Sequence, residues 1–231
     1  MTALPEKGDI KMKNQDSYSN NDNTAYRLVS ADPATILKHI KNSNYGDHNL
    51  VIYPGLKQFE EFYIECCKDS ILDRNEIFVL VTHYQHVSVV RKKMNLLAGI
   101  DISRYENDGT LIILDSEMAY QPSVEQNGRY DIISILTSLL IKHAHEHDKK
   151  GITLLSDLGT FFLKKRIADL ISYELSVFSK IDANNYCLFD IRSFSNRIRS
   201  FCCYHKDDFS ILQEEQRKTI MQHHSNNLIL A

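Results

Sequence analysis

Tryptophan is absent from this 231-residue chain, proline occurs 4 times and glycine 8 times. So little Gly and Pro excludes collagen-like repeats and Pro/Gly-rich linkers. No apolar stretch approaches the roughly 18 uninterrupted residues of a membrane span. The opening residues, MTALPEKGDIKMKNQ, lack the apolar central run of a secretory signal, so a cytoplasmic protein is expected. The formal net charge of -3 gives no general attraction to phosphate backbones or anionic lipid. Neither nucleic acid nor membrane is therefore expected as a direct partner. Cys66, Cys67, Cys187, Cys202 and Cys203 form two adjacent pairs and a single residue, which is no disulfide framework. Reduced thiols in a cytosolic core are expected instead.

Catalytic motifs are missing as well. A phosphate-binding loop needs glycines, so that backbone N–H groups can wrap the phosphate, and a Lys to meet its charge. After the first strand the chain reads PGLKQFEEF, with one Gly, no GK[ST] and two glutamates. GxGxxG and GxSxG do not occur. Asp115 and Asp157 end strands, as a magnesium-binding Asp would, but no phosphate cradle accompanies them.

What remains is a chain able to build one sizeable core. Apolar residues make up 43%, with 10 Phe and 12 Tyr supplying the large side chains. Residues 1–24 are polar and aperiodic, and read as a disordered tail; residues 25–231 read as a single α/β domain. Asp32-Pro33 starts a short helix with Ile36, Leu37 and Ile40 on its apolar face. NLVIY (49–53), EIFVLVT (76–82), TLIIL (110–114), ITLL (152–155), SFCCY (200–204) and Leu228–Leu230 read as strands. Between them, apolar residues recur at helical spacing. One stripe is Leu56, Phe59, Phe62 and Cys66; others are Val87, Val90 and Met94, then Ile132, Leu136 and Leu139. Leu163, Ile167, Leu170, Ile171 and Phe178 predict one helix face, and Cys187, Ile191, Phe194 and Ile198 another. Ser210 and Gln213 form a capping-box start for a helix running to about His223. Strands alternating with helices imply a three-layer sandwich around a mainly parallel sheet.

In an open parallel sheet, ligands bind beyond the carboxyl ends of the strands. The residues placed there are Tyr53, Thr82, His83, Tyr84, Asp115, Ser156, Asp157, Tyr204 and His205. We expect a small-molecule pocket lined by Tyr53, Thr82, His83, Asp157, Tyr204 and His205, with Asp115 and Glu174 as secondary contributors. Glu174 falls on the apolar stripe Ile167–Ile171–Phe178. There it either reaches solvent at the edge or makes a buried contact beneath the strand ends, because an unpaired buried carboxylate is costly. A Cys–His dyad within Cys202-Cys203-Tyr204-His205 stays open without support, because alternation in a strand points neighbouring side chains to opposite faces. His143 and His147 have metal-ligand spacing on a helix, but IKHAHEHDKK reads as a solvated helix end. His223 and His224 read the same way, so no metal and no cofactor are expected.

Several segments taken in order have a familiar look. They are GDHNLVIYPG (46–55), EIFVLVTHY (76–84), TLIILDSE (110–117), GITLLSDLGTFF (151–162) and SYE (172–174). The last is FCCYHKDDFSILQEEQRKTIMQHHSNNLI (201–229). Over about 45–230 the chain resembles the methanogen/methylotroph DcmR-type sensory domain family (MEDS). That family is similar to a RecA/KaiC-like ATPase core that has lost its P-loop. The resemblance implies the strand order 6-1-5-4-2-3, a non-catalytic sensory role and no cofactor. Related domains are often fused to DNA-binding or histidine-kinase modules. The residues ahead of the sheet here are too few for a helix-turn-helix, so output through a partner protein is expected, together with a homodimer. Residues 179–199 run longer than the family pattern and read as an added helix over the pocket or at an interface. Two other readings stay open: a degenerate nucleotide hydrolase or transferase using Asp115, Asp157 and His205, and a ligand-free protein-interaction module.

Overall fold

A computed structural model describes residues 33–121, 131–176, 197–224 and 228–230. The polar tail, the Asp32 cap and the helix expected through Cys187, Ile191 and Phe194 lie outside these residues; Ile198, expected on that helix, instead begins a strand. The described elements run α1 Pro33–Asn42, β1 His48–Tyr53, α2 Leu56–Lys68 and a π-helical turn Asp69–Asp73. Then come β2 Ile77–Thr82, α3 Val87–Leu97, α4 Ile102–Asn107, β3 Leu111–Asp115, α5 Ser116–Ala119 and α6 Asp131–Glu146. The remainder is β4 Ile152–Asp157, α7 Gly159–Leu163, α8 Ile167–Ser176, β5 Ile198–His205, α9 Lys206–Ile211, α10 Glu214–His223 and β6 Leu228–Leu230.

The six strands form one sheet in the order β3-β2-β4-β5-β1-β6, and every pairing is parallel. Read from the β6 edge, this is the order that the resemblance implies. Strand β2 sits inside the sheet with all six residues buried, which explains its unbroken apolar run.

Strict alternation divides the core. Val51, Tyr53, Phe78, Leu80, Phe201 and Cys203 face α1, α2, α3 and α4, meeting Ile40, Phe59, Phe62 and Met94. Leu50, Val81, Cys202 and Tyr204 face the other way, toward Tyr120, Phe161, Leu170, Tyr173 and Ile220. Ile77, Val79 and Ile152 continue that second face against Leu140 and Ala144 of α6. Burying each such side chain contributes about 1.5–3 kcal/mol.

Local signals set the boundaries. His86 accepts the Ser88 N–H at 3.3 Å and so caps α3. Gly99, at φ 66, ends the segment after it in a conformation that a side chain would strain. Two expectations need correction. The helix predicted through Leu163 and Ile167 is two helices, because the chain reverses at Lys165, which takes φ 55. The capping box also lies later: Ser210 belongs to α9, and Gln213 takes the cap position, its N–H donating to Gln216 Oε1 at 2.9 Å.

At the amino-terminal end of the sheet a buried ionic group ties elements together. The Arg199 guanidinium is fully buried and donates to Asp69 (2.5 Å), Thr153 (2.8 Å), the Ile40 carbonyl (2.9 Å), Ser70 (3.2 Å) and Glu76 (3.2 Å). Arg74 meets Asp69 at 3.0 Å, so two cations face two carboxylates. A buried guanidinium is tolerated only when its donors are met in this way.

Candidate functional site

Parallel pairing brings the ends of β1, β2, β4 and β5 to one edge, although these strands are far apart in sequence. Asp157, the last residue of β4, is fully buried there. Its Oδ1 accepts the Gly159 N–H at 3.1 Å and its Oδ2 accepts the His83 N–H at 3.2 Å. Burial pushes its carboxyl up to about 7, even though the N–H groups of Gly159, His83 and Tyr84 and the nearby Tyr53 hydroxyl pull it down.

Above this carboxyl lies a layer of rings. His83 meets Tyr84 edge-on with centroids 4.8 Å apart, and Tyr84 lies 5.5 Å from His205. His205 in turn meets Tyr53 edge-on at 5.4 Å. The Tyr84 hydroxyl donates to Asp208, and the His83 Nδ1 lies 3.1 Å from the Ser116 hydroxyl. Burial lowers the pKa of His83 from its ordinary value. Gly159 has no room for a side chain, because a Cβ would strike the His83 and Tyr84 rings. Tyr84 is exposed and His83 and His205 are half-buried, so solvent reaches this layer while Asp157 stays beneath it.

The sequence-selected residues thus divide. Tyr53, His83, Asp157 and His205 come together, joined by Tyr84. Thr82 is buried and its hydroxyl donates to the Gln85 carbonyl at 3.0 Å, which shapes the turn. Asp115 caps α5, accepting the Glu117 N–H at 2.8 Å. Tyr204 is one residue before His205 in a strand and points to the other face.

There Tyr204 joins a second, buried group. Its hydroxyl donates to Glu174, which α8 holds fully buried on the sheet. The same carboxylate meets His224 Nε2 at 2.9 Å and His48 Nε2 at 3.1 Å through Oε2. Cys202 Sγ lies 3.7 Å from His48 Nε2. Register explains the gathering: His48, Leu50 and Ile52 lie opposite Ser200, Cys202 and Tyr204, so one face of two adjacent strands carries a polar line. Helix α10 ends over it and drops His224 into the interior, with its ring stacked on His48 at 4.1 Å. Burial opposes charge on Glu174, but hydrogen bonds from His224 and His48 outweigh it and hold the carboxyl well below the usual range. Burial lowers the pKa of His48, against the hydrogen bond and charge of Glu174, which raise it.

Of the two positions open to Glu174, the structure shows the buried one. The expectation of a solvated His223–His224 pair is half corrected: His223 is exposed, whereas His224 is buried under the helix end. His143 Nε2 donates to the Asp108 carbonyl, 3.0 Å away, and the ring packs on His147 at 4.1 Å. Sequence reasoning gave His48 no chemical role, although it stands in the GDH segment at the start of β1. Residue 224 carried no signal beyond its helix-end position.

The family model described as "MEDS: MEthanogen/methylotroph, DcmR Sensory domain" matches residues 47–211. No individually curated protein matches the chain.

Proposed function

The chain belongs to the MEDS family of sensory domains, and from that premise we propose that it is a non-catalytic regulatory module whose small-molecule pocket lies at the carboxyl ends of the strands. The observation that carries this reading is the half-open layer of Tyr53, His83, Tyr84 and His205 above the buried Asp157 carboxyl. Aromatic walls with a few fixed polar groups suit a modest polar or aromatic ligand. A phosphate-bearing ligand is disfavoured. Tyr53 stacks on Phe59 at 4.6 Å and 21°, which fills the crook between β1 and α2 with rings where a nucleotide-binding loop would place glycines. Binding is passed on to a partner protein through the surface around this edge, and the module acts as a two-fold dimer, the commonest soluble symmetry.

The test is a thermal-shift screen of small phenols, alcohols and carbonyl compounds, followed by calorimetry on the best binder. Tyr84→Ala and His205→Ala should each weaken that binder by about 1–3 kcal/mol while leaving the protein folded. Affinity unchanged in both folded variants would place the pocket elsewhere and defeat the reading.

A further inference from the structure

We propose that His48, Glu174, Cys202 and His224 form a site for a divalent transition-metal ion of the Zn2+ type, with a tetrahedral set of two nitrogens, one oxygen and one sulfur. One ligand atom from each residue lies within 4.8 Å of all the others. With bonds of about 2.0–2.3 Å, tetrahedral ligand atoms stand about 3.3–3.7 Å apart. The His48–Cys202 separation is 3.7 Å, and the two His–Glu separations are 3.1 and 2.9 Å. Shifts of a few tenths of an ångström bring these pairs to that spacing, and the widest separation in the set, up to 4.8 Å, closes by about an ångström.

The outer contacts are those of a metal site. Both imidazoles turn Nε2 inward and are held from behind through Nδ1: His48 by the Ser200 hydroxyl at 2.6 Å, His224 by the His48 carbonyl at 3.0 Å. The second Glu174 oxygen is bonded by Tyr204. Ligands oriented by such partners are typical of protein metal centres.

Hydrogen-bond accounting points the same way. The His48 carbonyl can only accept, so His224 Nδ1 carries a proton. With that proton on Nδ1, a neutral ring would turn a bare Nε2 lone pair toward a carboxylate oxygen 2.9 Å away, so the Nε2–Glu174 contact needs either a second proton or another cation. An additional cation between them removes the conflict; the alternative is a second proton on His224, giving a wholly buried ion pair. A divalent ion balances one carboxylate and one thiolate, leaving a centre of zero net charge that is cheap to bury. On binding, the Cys202 S–H bond breaks and an S–metal bond forms, with the proton passing to water. Entry is available at the amino-terminal end of β1, where His48 is partly exposed and the exposed His223 ring lies 5.3 Å from it. The ion would clip α8 and α10 to β1 and β5. This inference does not depend on the strand-end pocket, which lies on the opposite face of β5.

Cobalt(II) is the probe. The full chain is stripped with a chelator, checked for fold by circular dichroism, and titrated with Co2+ and then Zn2+. The expected result is about one bound equivalent, tetrahedral d–d bands and a thiolate-to-cobalt charge-transfer band, all lost when Zn2+ is added. Cys202→Ser should abolish the charge-transfer band and lower affinity at least ~10-fold, and His224→Gln should weaken binding by a similar factor. A folded wild-type chain showing no such spectrum with excess Co2+ overturns the proposal without any variant. So does a spectrum that both variants retain, because the ion then sits elsewhere.

Discussion

The Asp157 carboxyl should make the fold less stable as pH rises toward neutrality. An unfolded Asp titrates near 3.8, whereas burial moves this group to about 7 in the fold. Between those values the folded state holds a proton that the unfolded state has released. The contribution is therefore fully present below about pH 4 and is lost as pH climbs through about 7. The full loss is about 4 kcal/mol, at ~1.4 kcal/mol per pH unit across the gap. Between about pH 5 and about pH 7.5 it amounts to about 2.5 kcal/mol. Asp157→Asn keeps the shape and removes the titration. Urea unfolding of both proteins at the two pH values gives the answer, because the other titrating groups cancel in the difference. We predict that the variant gains about 2.5 kcal/mol relative to wild type on going from the acid to the neutral condition. A difference that stays constant to within about 0.5 kcal/mol would show that the three backbone N–H donors, and not burial, govern the group, and would refute the reasoning.

Arg199→Met leaves Asp69 and Glu76 without their main buried cation and should cost about 3–5 kcal/mol by chemical unfolding; adding Glu76→Gln should recover part of it, and equal loss in both would argue against a coupled network. Gly159→Ala forces the His83 and Tyr84 rings aside, so it should destabilise by about 1–3 kcal/mol and weaken any strand-end ligand more than Gly99→Ala does. Gly99→Ala meets open space but keeps φ 66, and about 1 kcal/mol lost in a thermal melt is expected. Calorimetry with ATP and magnesium should show no specific binding, and a low-micromolar dissociation constant would contradict the ring-filled crook at Tyr53 and Phe59.

The strands were legible because burial on both faces favours continuous apolar runs: Ile77–Thr82 carries one, and Ile152–Asp157 carries a shorter one interrupted by Thr153. Their order was legible only through the family resemblance, since periodicity contains no information about which strands pair. Lys165 could not be anticipated, because a lysine at positive φ announces itself by no residue type. The site was legible in part. The rule that ligands gather at strand ends selected Tyr53, His83, Asp157 and His205, which do meet. The alternation that separates Cys202 from Cys203 also separates Tyr204 from His205, and applying it to that pair removes Tyr204 from that group. His48, Glu174 and His224 come from the start of a strand, the middle of one helix and the end of another. Only tertiary packing unites them, and an exposed helix end differs from a buried one by what lies beneath it.

Strand β5 is where these two groups share a backbone. Cys203 and His205 belong to the face of Asp157 and Tyr53, while Cys202 and Tyr204 belong to the face of Glu174 and His48. One peptide bond joins Tyr204, whose hydroxyl is bonded to Glu174, to His205, whose ring closes the strand-end layer. A central parallel strand is paired on both sides, here by β1 and β4, so it cannot slide to relieve a local push. Rotation about that peptide would break either the Tyr204 bond on one face or the ring contacts on the other. The two groups therefore constrain each other through geometry alone, without a chain of intervening side chains. If the proposed ligand binds at the half-open edge, this shared strand is the physical route by which it would be coupled to the seating of α8 and α10 on the far face.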